Sequence, residues 1–346
     1  MIKRSLFVSL IATTFAVNAS SLEVYGKANI SVNMDKLEGS VDPNNLDGET
    51  TKLNSNASRI GFKGSIDIGE GLKAIYKFEY ETMLDDGDKD GQTFSQRNIA
   101  AGFKGAFGSI IAGKHDTPTK LAQGKVDLFN DLPNADIKNV IQVGEDRTNN
   151  IIIYTSPSIN GLKASIAYIP DESKNDNTIS TSSSIEYKLN DLKLTAAYND
   201  GTAIKSGIRS LSRYVAEYKS GDFKFGAIFQ SVNTSDKAGV KAENLESNIV
   251  SVSYNLNDKI KLKAQIGEAD YYNDFDNLGT PDSGAKEFSQ EAFGIDYRLN
   301  KKSKLFAYYS NIETDDAENL DSTNAVVSAQ NDSNNSTIGL GYEIKF

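Results

Sequence analysis

This chain of 346 residues has no cysteine, no tryptophan, a single histidine and only six prolines. Without thiols there are no disulfides and no thiolate metal centres. One imidazole, His115, is too few for the usual zinc sites or a Ser-His apparatus, and no cofactor is expected. Beyond the first nineteen residues no stretch approaches 18 consecutive apolar residues, so a membrane-spanning helix is excluded. Positive charge is also scarce: 37 Lys and Arg against 47 Asp and Glu give −10 at pH 7. A chain this acidic is a poor partner for nucleic acid and tends to draw cations. Mean hydropathy of −0.43 suits a soluble protein or a membrane barrel equally, because barrel strands alternate and leave little hydropathy signal.

What is present begins with an export signal over residues 1–19. Lys3 and Arg4 form a basic start, Leu6 to Val17 an apolar stretch, and Val17-Asn18-Ala19 a small-residue cleavage site. The mature chain, 20–346, then carries −12, since Lys3 and Arg4 are lost. Its last nine residues alternate strictly. Ile338, Leu340, Tyr342, Ile344 and Phe346 fall on one face of a strand, and Gly339, Gly341, Glu343 and Lys345 on the other. Lys259–Gly267 repeats the pattern, with Ile260, Leu262, Ala264 and Ile266 opposite Lys259, Lys261, Lys263 and Gln265. Such a strand cannot be buried on both faces; one face must meet water.

The periodicity predicts sixteen strands, near 23–34, 57–68, 72–82, 94–104, 107–114, 149–157, 161–169, 180–189, 192–199, 210–220, 222–232, 246–256, 258–269, 288–299, 303–313 and 334–346. Tight turns (Gly69-Glu70-Gly71, Gly105-Ala106, Ser158–Asn160, Asn190-Asp191, Gly221, Asn257, Lys301-Lys302) alternate with long polar stretches near 35–56, 83–93, 115–148, 170–179, 200–209, 233–245, 270–287 and 314–333. A soluble sandwich has no reason to segregate its connections in this way, whereas a transmembrane barrel with short turns at one rim and long loops at the other does. Tyr76, Phe78 and Tyr80, and Phe223, Phe225 and Phe229, supply aromatics for interfacial girdles. Sixteen strands about 4.8 Å apart, tilted about 40°, close at a diameter of roughly 30 Å, too wide for side chains alone to fill.

Several short motifs, in order, resemble the general trimeric porins of Gram-negative outer membranes, in particular their marine gammaproteobacterial branch. They are Val24-Tyr25-Gly26-Lys27, Ser58-Arg59-Ile60-Gly61-Phe62-Lys63-Gly64, and Arg97 followed by Gly102-Phe103-Lys104-Gly105. Gly108–Gly113 leading into His115-Asp116-Thr117-Pro118, and Tyr342–Phe346, complete the set. The resemblance implies a channel rather than an enzyme, passing ions and small hydrophilic solutes, with a mild cation preference expected from the acidic composition. It also implies a homotrimer in the outer membrane, contact with lipid and lipopolysaccharide, and insertion by the barrel assembly machinery. The C-terminal strand, with Tyr342, Ile344 and Phe346, is the expected insertion signal. In that family the third long loop, here 115–148, folds into the barrel. Its acids would face a basic wall of Lys27, Arg59, Arg97 and Arg147; the candidate acids are Asp116, Asp127, Asp131 and Asp136, with Asp127 and Asp131 favoured because Gly124-Lys125-Val126-Asp127-Leu128-Phe129-Asn130-Asp131 resembles the family's loop core. For Lys27 and Arg59 the alternation independently points inward, since Gly26, Ala28, Ile60 and Phe62 take the other face.

Two features carry less. Asp86, Asp88 and Asp90 begin a calcium-loop pattern, but Arg97 stands where a bidentate Glu is required, leaving at most a weak metal contact. His115 is expected to hydrogen-bond locally at the loop root. The alternatives to a general diffusion channel are a substrate-selective channel, a barrel-borne adhesin or receptor, a rim hydrolase, and a soluble periplasmic β-protein.

Overall fold

The computed structural model describes residues 21–346 except 40–46, 89–90, 142, 171, 173–178, 202–203, 205–207, 235–243, 273–284, 317–318, 321–325 and 329–331. The export signal at 1–19 therefore lies outside the described residues. Sixteen antiparallel strands form one barrel. They are β1 (Ser21–Glu38), β2 (Gly48–Ser55 continuing as Arg59–Gly69), β3 (Leu72–Glu81), β4 (Ser95–Gly105), β5 (Gly108–Asp116), β6 (Arg147–Thr155), β7 (Leu162–Pro170) and β8 (Ile179–Leu189). The remainder are β9 (Leu192–Asp200), β10 (Ile208–Ser220), β11 (Phe223–Thr234), β12 (Asn244–Asn255), β13 (Ile260–Tyr272), β14 (Ala285–Arg298), β15 (Ser303–Asp316) and β16 (Ser333–Lys345). Each pairs with the next, and β1 closes on β16 from Lys27↔Lys345 to Glu38↔Asn334, so no edge is left open. A short hairpin, Asn319–Leu320 with Val326–Ser328, decorates the last long connection.

The largest departure from the sequence reading is at residues 35–56, read there as loop. Asp35–Glu38 and Gly48–Ser55 extend the barrel wall instead. The strand was concealed by a bulge. Ile30 faces Ser55 while Lys27 faces Arg59, so β2 holds one more residue than β1 over that interval. Ala57 takes φ 48 there, and the Asn56 amide donates to the Asn29 carbonyl at 2.8 Å. An extra residue inverts the alternation, so the apolar pattern on either side no longer shares one register.

The outer face is apolar. Leu262, Ile266 and Leu340 are 41%, 54% and 60% exposed in the isolated barrel. Phe223 stacks on Tyr254 with ring centroids 4.5 Å apart near the tight-turn rim, and Tyr214 on Phe229 at 6.4 Å nearer the other. Phe346 closes the terminal strand by exchanging backbone hydrogen bonds with Gly26, both 3.1 Å. Its ring lies where a Gly26 side chain would be, 2.2 Å from an ideal Cβ, so a larger residue there would have to displace it. Tyr342 and Ile344 stand half-buried on the same outer face, opposite Ile30 and Ala28.

Part of the interior is apolar. Ala197, Val215, Ile228 and Ile249 point inward from β9 to β12 and are buried under Ala122, Val126, Ile137 and Ile141 of the third loop. Ala292, Phe306 and Tyr308 on β14 and β15 pack against its Phe129, Leu132 and Ala135. The barrel thus contains a hydrophobic core of its own, between one arc of wall and the folded-in loop.

Candidate functional site

The third loop, 117–146, leaves β5 through a short helix, α1 (Pro118–Ala122), whose first turn is capped by the Thr117 hydroxyl accepting from the Lys120 amide at 3.1 Å. A second turn of helix, α2 (Lys138–Ile141), lies against β12 to β14. Between them the chain runs along the inner wall toward β16 and returns. Polar wall residues fix this path by taking its backbone groups. Gln265 accepts from the Leu128 amide (2.9 Å) and donates to the Ala135 carbonyl (3.1 Å). Gln290 donates to the carbonyls of Asn134 and Asp136, and the Tyr308 hydroxyl to that of Pro133. Lys263 donates to the Leu128 carbonyl at 3.1 Å, with its ammonium 4.4 Å from the Phe129 ring centre.

Near the loop root is Arg213, wholly buried. It donates to Gln230 (2.8 Å), Glu145 (2.7 Å) and the carbonyls of Thr119 and Val143 (both 3.2 Å). Burying a guanidinium is tolerable only with such saturation. Neither Arg213 nor Lys263 was found from sequence as a loop anchor. A signal existed: residues 121–143 include Leu121, Val126, Leu128, Phe129, Leu132, Ile137, Val140, Ile141 and Val143, an apolar content out of place in a solvated outer loop.

At its tip the loop presents Asp131, in a left-handed conformation with φ 70. A non-glycine residue there costs about 1 kcal/mol or more. Two ion pairs offset this: Lys27 Nζ lies 2.7 Å and Arg59 Nη2 3.2 Å from the same Asp131 oxygen. Burial pushes the Asp131 carboxyl up, but Lys27 and then Arg59 outweigh it and hold the group below the usual carboxylate range.

The other expected wall cations meet different partners. Arg97 reaches Glu79 (3.1 Å) and Glu81 (2.5 Å), both on β3, and the Tyr25 hydroxyl donates to Glu79 (2.9 Å). A bulge aims Arg97 inward: between Phe78↔Ile99 and Tyr80↔Gln96, Arg97 and Asn98 together oppose Glu79. Arg147 pairs with Asp116 at 3.0 Å, beside another register shift, and donates to Asn98 at 2.9 Å.

Of the four loop acids singled out, then, only Asp131 faces Lys27 and Arg59. Asp116 sits at the loop root, where Asn98 also donates to it (2.8 Å). Asp136 organises the tip, accepting from the amides of Asp131 (2.8 Å) and Lys138 (2.9 Å). Asp127 caps the Phe129 amide (2.9 Å), and burial together with Asp136 raises its pKa well above the ordinary carboxylate value. Backbone amides within the loop thus hold both carboxylates. His115 Nδ1 lies 2.9 Å from the Asp116 carbonyl oxygen. Asp86 accepts from the Asp88 amide at 2.9 Å, while Asp90 lies outside the described residues. Among the described residues no three metal-ligating side chains converge.

A closed sixteen-stranded barrel, apolar outside and narrowed within by a docked loop whose tip meets a charged wall, defines an outer-membrane barrel of the porin type. The comparisons carry this to a family: residues 6–317 match the model for Gram-negative porins, and the chain belongs to that family. It is 33% identical over 139 residues to outer membrane porin protein 32 of Delftia acidovorans, covering 38% of each chain. Over 179 residues it is 29% identical to major outer membrane protein P.IB of Neisseria sicca, covering 50% of this chain and 48% of that one. These alignments span at most about half the length of those curated relatives. Among solved structures, the anion-selective porin from Comamonas acidovorans superimposes with a TM-score of 0.77 at 20% identity, covering 95% of this chain and 100% of that one. The trimer form of OmpT from Vibrio cholerae gives 0.64 at 18% identity, covering 94% and 100%. Both show a shared fold.

Proposed function

We propose that the protein is a water-filled channel for passive diffusion of ions and small hydrophilic solutes across the outer membrane, with a mild preference for cations. The observation that carries this reading is the docked loop with Asp131 against Lys27 and Arg59, which narrows the lumen and sets charges of both signs along its passage. Charges across a wet gap orient polar solutes and make apolar ones disrupt ordered water, the behaviour of a filter rather than a binding site. Arg97 and Arg147 are compensated by Glu79, Glu81 and Asp116, so the basic wall presents little net charge. The acid excess of the mature chain, −12 without Lys3 and Arg4, then biases the lumen toward cations.

In this reading Lys27, Arg59, Arg97, Arg147 and Asp131 border the constriction, residues 1–19 are removed on export, and the barrel works as a homotrimer. It contacts lipopolysaccharide, and the assembly machinery inserts it through the strand ending in Tyr342, Ile344 and Phe346. A trimeric form recorded for a protein of the same fold supports the oligomer. The test is reversal potential in a salt gradient across planar bilayers. The wild-type channel should pass a large ohmic current with modest cation preference. Arg59→Gln with Arg97→Gln should raise both conductance and cation preference; unchanged values would remove these arginines from the passage.

A further inference from the structure

The tight-turn rim contains a feature that diffusion through the constriction does not use. Where the turns after β12 and β14 meet the end of β16, the inner wall forms a cavity of about 220 Å3, several times the roughly 30 Å3 share of one water. Seven cationic side chains line it against two carboxylates. Both carboxylates are already engaged: Asp296 with Lys304 (2.9 Å) and Lys263 (3.0 Å), Glu343 with Lys345 (3.1 Å). Arg298 donates to the Asp258 carbonyl at 2.9 Å, which leaves its charge uncompensated. Lys259, Lys261, Lys301 and Lys302 have no carboxylate within ion-pair distance among the described residues. Some cations elsewhere on the same rim are matched, Lys63 with Glu23 at 3.1 Å and Lys193 with Glu217.

Like charges gathered in a concavity repel one another and raise the local potential, most strongly where low-dielectric walls focus the field. In a chain with net charge −10 the gathering runs against composition. An ammonium is a compact point charge with three donors and a guanidinium a planar fork, and both suit phosphate oxygens.

We propose that this basin is a binding site for small multivalent phosphate-bearing anions at the periplasmic mouth of the channel. It lies on the inner wall toward the tight turns, and its edge at Lys345 is in register with Lys27, so an anion held there stands in the exit path beside the constriction. The inference goes beyond the diffusion reading and borrows from it only the side of the membrane on which the basin opens.

The experiment uses inorganic pyrophosphate and the full mature protein. Calorimetry in detergent should show saturable binding that falls at least tenfold in Lys259→Gln/Lys261→Gln/Lys301→Gln/Lys302→Gln and stays unchanged in Lys163→Gln, a lysine beyond the basin. Heat-modifiable gel mobility checks that both variants are folded barrels. In single-channel records, pyrophosphate should interrupt the current at low millimolar concentration from one face of each inserted channel and require at least tenfold more from the other. No saturable binding, equal binding by the quadruple variant, or equal interruption from both faces each overturn the proposal. Binding without any channel current would retain the site and remove the diffusion reading, so the two fail separately.

Discussion

Replacing Asp131 by Asn removes one negative charge from the loop tip while leaving Lys27 and Arg59 in place. The size of the effect follows from electrostatics. A unit charge about 6 Å from a permeating ion in a water-like medium contributes roughly 0.7 kcal/mol. With a Debye length of about 10 Å at 0.1 M salt, screening trims this to about 0.4 kcal/mol. At about 1.4 kcal/mol per decade, cation occupancy halves and anion occupancy doubles, so the cation-to-anion permeability ratio falls about fourfold. The loop itself should stay down, because Phe129, Leu132 and Ala135 remain buried against Ala292, Phe306 and Tyr308 whatever the charge at the tip. Single-channel conductance should therefore change far less than selectivity. Reversal potentials in a tenfold KCl gradient, repeated at 0.1 and 1 M mean salt, measure both, and the shift should shrink at high salt. An unchanged reversal potential would show that Asp131 lies outside the ion path. A severalfold rise in conductance would show that the tip ion pairs, and not the buried face, hold the loop.

Arg213→Met should weaken the loop root by about 3–5 kcal/mol, the usual cost of leaving a buried partner such as Glu145 uncompensated; trypsin cleavage at Lys125 or Lys138 in the folded protein should accelerate, and unchanged resistance would refute the clamp. Acid should act in two stages. Asp131, held below its ordinary value, keeps the tip pinned until pH falls below about 4, the unperturbed carboxylate range, and loses the pin only on passing through its own depressed pKa. Asp127, raised by burial and by Asp136, takes up its proton at higher pH, so loop docking strengthens as pH falls through that raised value; conductance fluctuations between pH 8 and 3 follow both stages, and Asp127→Asn should abolish the first. Gly26→Ala should cost about 1–3 kcal/mol by forcing its Cβ into the Phe346 ring, and Phe346→Ala in the same chain should recover part of that loss in a double-mutant cycle of heat-modifiable mobility. Fully additive costs would mean that the two do not touch.

The order of the strands, the segregation of turns from loops and the lipid-facing set were legible in the chain because they follow from a period of two, a property of single segments. Lys27 and Arg59 were legible for the same reason: Gly26, Ala28, Ile60 and Phe62 beside them fix the face. Arg97 was reached only through the family resemblance, because the bulge opposite Glu79 breaks the count on which alternation depends. The same kind of interruption at Asn56–Ser58 concealed the upper half of β2. The family resemblance favoured Asp127 and Asp131, but nothing in the residues themselves says which acid meets the basic wall. Asp116, Asp127, Asp131 and Asp136 are chemically alike, and only the path of the loop separates the one at the wall from those that cap its own amides. That path depends on Arg213, Gln265, Gln290 and Tyr308, which lie 68 to 175 residues from the loop groups they bind and meet the loop only once the sheet has closed. The chain by itself determined a barrel with its apolar face outward, because each strand carries that information locally. The tertiary structure alone decided how the interior is narrowed, because that depends on contacts between the loop and strands that no local pattern links.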